Sequence, residues 1–287
     1  MINPTIRNSI ISNIGKHKFL SPNKPIPKPS ELVYIPDGFI KQDICGSYND
    51  FMAQLQKHYP NMSLKKLALK IKWFSKNIGE GRESMVYNIP NIDGYCIKIK
   101  KDAKLGLFKE TKPLQETKND FYGFNFGQPI ADNGEGISIL LKTKGESYGL
   151  KDWYQCYAMK KKPTQAELDK YVNEDMARLS EFPQSSYDDF MKRVSLIKNV
   201  SRRHFDFFNP NNFIIDYKNK RINVVYVGKR THIDFEILPM EAGLCDRESM
   251  NLASPETMIN FEKYAKIITE KCTLAREKYL NSFAERK

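Results

Sequence analysis

Residues 200–236, VSRRHFDFFNPNNFIIDYKNKRINVVYVGKRTHIDFE, hold the side chains best suited to chemistry in this 287-residue chain. Asp206 follows His204 and Phe205, and Asn211 comes five residues after it. Asp234 lies further on, in Ile233-Asp234-Phe235-Glu236. One carboxylate of such a set can orient and deprotonate an incoming hydroxyl. A second carboxylate and an amide oxygen can hold a magnesium ion on the phosphates of a nucleotide. In that chemistry Asp206 is the base, and Asn211 and Asp234 are the metal ligands. The residue types alone do not decide it, because Asp and Asn are also turn formers. Asn209-Pro210-Asn211-Asn212 makes an ordinary turn with no chemistry. A different use of the same stretch is a metal hydrolase built on His204, Asp206, His232 and Asp234, since two of the four histidines flank the two acids.

The elements upstream bear on the choice. Asn77-Ile78-Gly79-Glu80-Gly81-Arg82-Glu83-Ser84-Met85-Val86-Tyr87 has two glycines without side chains to hold phosphates away from the main chain. A turn at Asn91-Ile92-Asp93-Gly94 then leads into the alternating Tyr95-Cys96-Ile97-Lys98-Ile99-Lys100, which predicts a β-hairpin with a lysine on its return strand. Lys98 and Lys100 share a face, so periodicity does not separate them. Residues 128–149 read as two strands about the turn Asn133-Gly134-Glu135-Gly136, the second being Ile137–Thr143.

The other elements are helical or short. Helices are expected after Ser47, with Phe51, Met52 and Leu55 inward, and after Ser63, with Leu64, Leu67, Ile71 and Phe74. Thr164-Gln165-Ala166-Glu167 is a capping box for a helix facing inward through Leu168, Tyr171, Val172, Met176 and Leu179. Pro183 separates it from a second helix that delivers the chain to Asp206. Phe213–Ile215 and Ile222–Val227 form a hairpin about 217–220. A long final helix starts at Ser254-Pro255, and its stripe Met258, Phe261, Ala265, Ile268, Cys272, Ala275 and Tyr279 packs into a core.

Composition sets the bounds. No apolar run reaches the ~18 residues of a membrane span, and no secretory leader pattern opens the chain. Five scattered cysteines without a C-x-x-C pair argue for reduced thiols and against zinc. The net charge of +12 is spread along the chain, which suits a lysine-rich solvated surface and does not point to DNA. Pro22, Pro25, Pro27 and Pro29 make residues 1–30 an extended segment.

In this order the motifs resemble those of protein kinases: G-x-G-x-x-G-x-V, V-A-I-K, H-R-D-x-x-x-x-N and D-F-G. Gly79, Gly81, Ser84 and Val86 match the first, with Ser84 in place of its third glycine, and Lys98 matches the lysine of the second. The resemblance implies that Lys98 contacts the phosphates and pairs with a helical glutamate. Glu110 and Glu116 are both available, and the break at Pro113 favours Glu116. It implies that the backbone at Lys142, Thr143 and Lys144 meets the adenine edge of ATP.

Only 53 residues follow Asp234, and no A-P-E anchor is found. The chain is therefore most similar to the minimal type III secretion effector kinases, the NleH/OspG group, over about residues 75–240. His204–Asn211, Ile233-Asp234-Phe235 and Lys142–Ser147 are close to that group's catalytic loop, metal loop and hinge. The implied fold is α+β and bilobal, with a small β-rich N-lobe (about 74–145), a truncated helical C-lobe (about 146–287) and a helical N-terminal extension (31–73). The implied function is a Ser/Thr protein kinase using ATP and Mg2+, exported through residues 1–30 into the host-cell cytosol, where it acts on a host protein. Ubiquitin or a ubiquitin-conjugating enzyme is the partner so implied. Phe205, Phe208 and Glu236 depart from the pattern, and they leave open a pseudokinase that keeps the fold as a binding scaffold.

Overall fold

Helix α1 (Tyr48–His58) and helix α2 (Leu64–Phe74) lead into the first sheet. The Ser63 side chain caps α2 by accepting the backbone N–H of Lys66. Phe51, Leu67, Ala68 and Ile71 recur at helical spacing and are buried. The computed structural model describes residues 48–81, 83–103, 105, 111–117, 129–150, 161–201, 204–205, 210–225, 227–228 and 243–284, with backbone alone at 194–201, 204–205, 227–228, 280 and 282–284. The expectations placed on residues 1–47 lie outside that range.

The buried face of α1 and α2 covers one face of a six-stranded antiparallel sheet of order β1-β2-β3-β6-β5-β4. Its strands are β1 (Asn77–Glu80), β2 (Ser84–Asn88), β3 (Tyr95–Lys100), β4 (Gln115–Glu116), β5 (Pro129–Asp132) and β6 (Ile137–Leu141). Both expected hairpins form. Asn91 and Gly94 take positive φ at the first turn, and Gly134 and Gly136 at the second. Tyr87, Tyr95, Ile97, Ile99, Ile137 and Ile139 alternate onto the helix side and make one core with α1 and α2. Tyr95 stacks edge-on against Phe51 at 5.3 Å and donates its hydroxyl to Asp50 at 2.6 Å.

The later residues make a helical core with small sheets beside it. The Thr164–Glu167 capping box is present and starts α3 (Gln165–Lys170), which runs through a π-helical segment (Tyr171–Met176) into α4 (Ala177–Ser180). Leu168, Tyr171, Val172, Met176 and Leu179 are all buried. α5 (Gln184–Ser201) and α6 (Pro255–Ala284) pack on them, with Phe261, Ile268, Cys272 and Ala275 of the expected stripe inside.

Strand β7 (Glu146–Ser147) pairs with β9 (Phe213–Asp216), which pairs with β10 (Arg221–Val224). Strand β8 (His204–Phe205) pairs with β11 (Val227–Gly228). The hairpin strand expected over Ile222–Val227 is therefore two strands. It breaks where the Val225 N–H turns to the Asn212 carbonyl at 2.8 Å, and Val227 and Gly228 join β8. The architecture is mixed α+β, and among the described residues no helix is long and apolar enough to cross a membrane.

Candidate functional site

The sheet face turned away from α1 and α2 carries a row of side chains in register. Gly79 lies opposite Val86, Val86 opposite Lys98, Lys98 opposite Ser138, and Ser138 opposite Asp132. Residues directly opposite across antiparallel strands share a face. Cys96 and Leu140, one step along the same face, are another such pair and both are buried. Lys98 thus stands at the middle of the sheet with Val86 on one side and apolar groups below it.

Burial separates the two lysines that alternation left equal: Lys98 is half-buried and Lys100 is exposed. Desolvation holds the Lys98 amine below its ordinary pKa, opposed by the Glu83 charge. Asp132 also favours its charged form, but that carboxylate already accepts from the Ser138 hydroxyl and from the Gly134 N–H at 2.5 Å. Among the described residues the Lys98 amine makes no hydrogen bond or ion pair. A desolvated amine at mid-sheet suits a bound anion. Beside it, burial pushes the Cys96 thiol up to about 12, so that sulfur stays neutral.

Glu116 does not stand where the sequence put it. It belongs to the edge strand β4, not to a helix, and it is exposed. Its register partner is Ala131, whose partner is Ile139, so its side chain starts on the face covered by α1 and α2. Three strand spacings, about 14 Å, also separate β4 from β3. A Lys98–Glu116 pair is excluded by both face and distance. The reason is local: after the break at Pro113 the chain adds an edge strand and does not restart a helix. Glu110 lies outside the described residues.

The linker from the first sheet to the second gives two further results. The Lys142 N–H is taken by the Gly94 carbonyl at 2.8 Å, and the Lys144 carbonyl accepts from the Asn223 amide at 3.3 Å. Backbone groups alternate in direction along a strand. With Lys142 turned toward β3, the Leu141 C=O and the Thr143 N–H turn the other way. The groups facing away from β3 here are thus the Leu141 C=O and the Thr143 N–H, and the sequence did not single out Leu141.

The linker is also clamped. Gly145 has φ of +126°, and a Cβ there would lie 2.6 Å from the Ile215 carbonyl oxygen. Gly149 has φ of +90°, and a Cβ there would overlap the ring of Pro210, the neighbour of Asn211. Asp175, in the π-helical segment, accepts from the Gly149 N–H and from the Tyr217 hydroxyl at 3.3 Å. Burial raises its pKa, and those two bonds oppose the rise. The Arg178 guanidinium lies 3.5 Å over the Tyr217 ring and 3.7 Å from Glu146. Glycines at this spacing were visible in Lys144-Gly145-Glu146-Ser147-Tyr148-Gly149, but nothing local said what they lie against.

Asn211 is half-buried in a 3-10 turn, Pro210–Asn212, at the head of β9. Asp206, Asp234 and His232 lie outside the described residues, and His204 is described by its backbone in β8 alone. The β8–β11 pairing joins the segment that runs into Asp206 to the segment that runs toward Asp234. Among the described residues no cluster of His, Cys, Asp or Glu could hold a metal ion. No family model matches the chain, and no curated protein matches it.

Proposed function

We propose that the chain is an ATP- and magnesium-dependent phosphotransferase of the protein-kinase type. It acts on Ser or Thr of a protein substrate, and by resemblance it is an effector working in a host cell. The observation that carries this reading is the sheet face turned away from α1 and α2. A half-buried Lys98 lies in register with Val86 and Gly79 and sits above Cys96 and Leu140. In the adjoining linker the Leu141 C=O and the Thr143 N–H face away from β3, as an acceptor and a donor for the amino group and ring nitrogen of adenine. The strand order β1-β2-β3-β6-β5, followed by a helical core with its small sheets, is what a kinase-like bilobal fold would require.

Each residue then has one task. Val86, Cys96 and Leu140 give the base an apolar surface, and the Leu141 C=O and Thr143 N–H fix its edge. Gly79 and Gly81 let main-chain N–H groups approach the phosphates, and Lys98 neutralises them. Asn211 and Asp234 supply hard oxygen ligands of the kind magnesium prefers. Magnesium, when bound, would screen the charge that develops on the phosphates. Asp206 takes the substrate hydroxyl proton as that oxygen bonds to the terminal phosphorus and the bond to the ADP oxygen breaks.

The test is transfer of radiolabel from ATP with magnesium, to the protein itself and to generic substrates. Wild type is compared with Asp206→Ala and Lys98→Ala, with and without a ubiquitin-loaded conjugating enzyme. Label in wild type alone is the expected result, with a loss of at least about a hundredfold in Asp206→Ala. ATP binding without transfer under any condition would leave a binding scaffold in place of an enzyme. Absence of ATP binding would overturn the site itself, and tightly held zinc or manganese without ATP would favour the hydrolase built on His204, Asp206, His232 and Asp234.

A further inference from the structure

The helices covering the back of the sheet have an outer side with no task in that chemistry. Leu67, Ala68 and Ile71 turn α2 inward against the sheet. Lys66, Lys70 and Trp73 follow at steps of four and three, so they form a stripe on the opposite side, and all three are exposed. Phe74 ends the helix beside Trp73. Trp73 is 78% exposed and Phe74 is 85% exposed, and Ile78 on β1 is 42% exposed. Three of the six exposed large apolar side chains among the described residues thus fall within six positions of each other, while Leu252, Ile259 and Leu274 are scattered along the C-terminal third.

The charge carried by α2 has one sign. α2 contains Lys65, Lys66, Lys70 and Lys72 and no acidic residue, and Lys76 follows it. The acid next along the chain, Glu80, is held by Lys101 at 2.5 Å. The combination suits a bilayer surface, where Trp and Phe settle at headgroup depth and lysines reach the anionic headgroups on long apolar stems.

We propose that the exposed C-terminal end of α2 docks the protein on the anionic surface of a lipid bilayer, with Trp73 and Phe74 inserted and Lys66, Lys70, Lys72 and Lys76 reaching the headgroups around them. The proposal does not depend on the phosphotransferase reading, since it uses no residue of that site.

The experiment is co-sedimentation of the full chain with vesicles of phosphatidylcholine, alone or with about 30 mol% phosphatidylserine, across a range of salt. Binding is expected only with phosphatidylserine, and it weakens as salt shortens the screening length. Lys66→Gln with Lys70→Gln weakens it by about 25-fold, at about fivefold per lysine. Trp73→Ser with Phe74→Ser abolishes sedimentation while leaving the melting temperature unchanged, because both side chains are exposed. Of the two tryptophans, Trp153 can be replaced by Phe, and the emission of Trp73 then shifts to the blue on vesicles. Absence of binding, or binding unmoved by the serine and glutamine variants, overturns the proposal. So does an emission shift produced by polyglutamate but not by vesicles, which would make the partner an acidic protein.

Discussion

Two pairs of glycines flank the candidate site, and the fold treats them in opposite ways. Gly145 and Gly149 hold positive φ, and a Cβ at either would run into Ile215 or Pro210. Gly79 and Gly81 have no positive φ, and a Cβ at either would meet nothing closer than Val86 at 3.7 Å or Ser84 at 3.8 Å, which is ordinary contact. The linker glycines are thus required by the protein's own packing: they let β7 lie against β9 and keep the chain flat over Pro210. Among the described residues no neighbour requires glycine at 79 or 81. The space they leave is what the proposed phosphate contact would use. Glycine alone therefore says little about function, and what its missing Cβ would strike says much more.

The largest expected effect breaks the clamp. Gly149→Ala must move Pro210 and hold an L-residue at positive φ, which together cost about 3 kcal/mol. For a chain of this size that is a loss of about 5 °C in melting temperature. Gly145→Ala follows closely, because the atom it strikes is backbone and cannot rotate away. Thermal unfolding of both variants checks this. A loss under about 2 °C in each would mean that the linker is not held against β9 as described.

The elements whose pattern is local were legible in the sequence. Both hairpins of the first sheet, the Ser63 and Thr164 caps, the inward stripe of α3 and its continuation, and the Pro255 start of α6 follow from residues within a few positions of one another. What was not legible depends on partners far along the chain. Glu116 could not be placed, because two residues after a proline fit an edge strand as well as a helix start, and only β5 chooses. The division of 222–228 between β10 and β11 is set by Asn212 and by β8. Lys98 and Lys100 are equal by alternation, and only burial at mid-sheet separates them. The motif order identified the candidate residues; Leu141, Gly145 and Gly149 emerged from backbone geometry that no side-chain pattern records.

A middle-sized effect sits between the two glycine pairs. Lys98 keeps its charge at a half-buried position, so folding opposes the bound proton there. Its folded pKa lies below the unfolded value of about 10.4. The unfolded chain therefore binds that proton more readily, and the burden is fully present at neutral pH. It fades as pH rises through the folded value toward the unfolded one. Lys98→Met removes the charge and keeps the apolar stem. Its melting temperature at neutral pH is expected to rise, and the gap from wild type should close on approach to pH 10. A variant less stable than wild type at neutral pH would show that Lys98 is paired after all.

The smallest change in stability is expected where the functional change is clearest. Gly79→Ala and Gly81→Ala put a methyl group into open space, and each reduces the freedom of the unfolded chain. Where the backbone already suits alanine, that stabilises by about 0.5 kcal/mol. The same methyl groups stand where main-chain N–H groups would approach phosphates, so ATP affinity should fall by about tenfold in the double variant while the melting temperature holds or rises slightly. Opposite signs in the two measurements mark glycines kept for a ligand. Loss of stability together with affinity would place Gly79 and Gly81 in the same class as Gly145 and Gly149. Unchanged affinity would remove the phosphate-binding role from this turn and leave Lys98 as the sheet's one candidate phosphate contact.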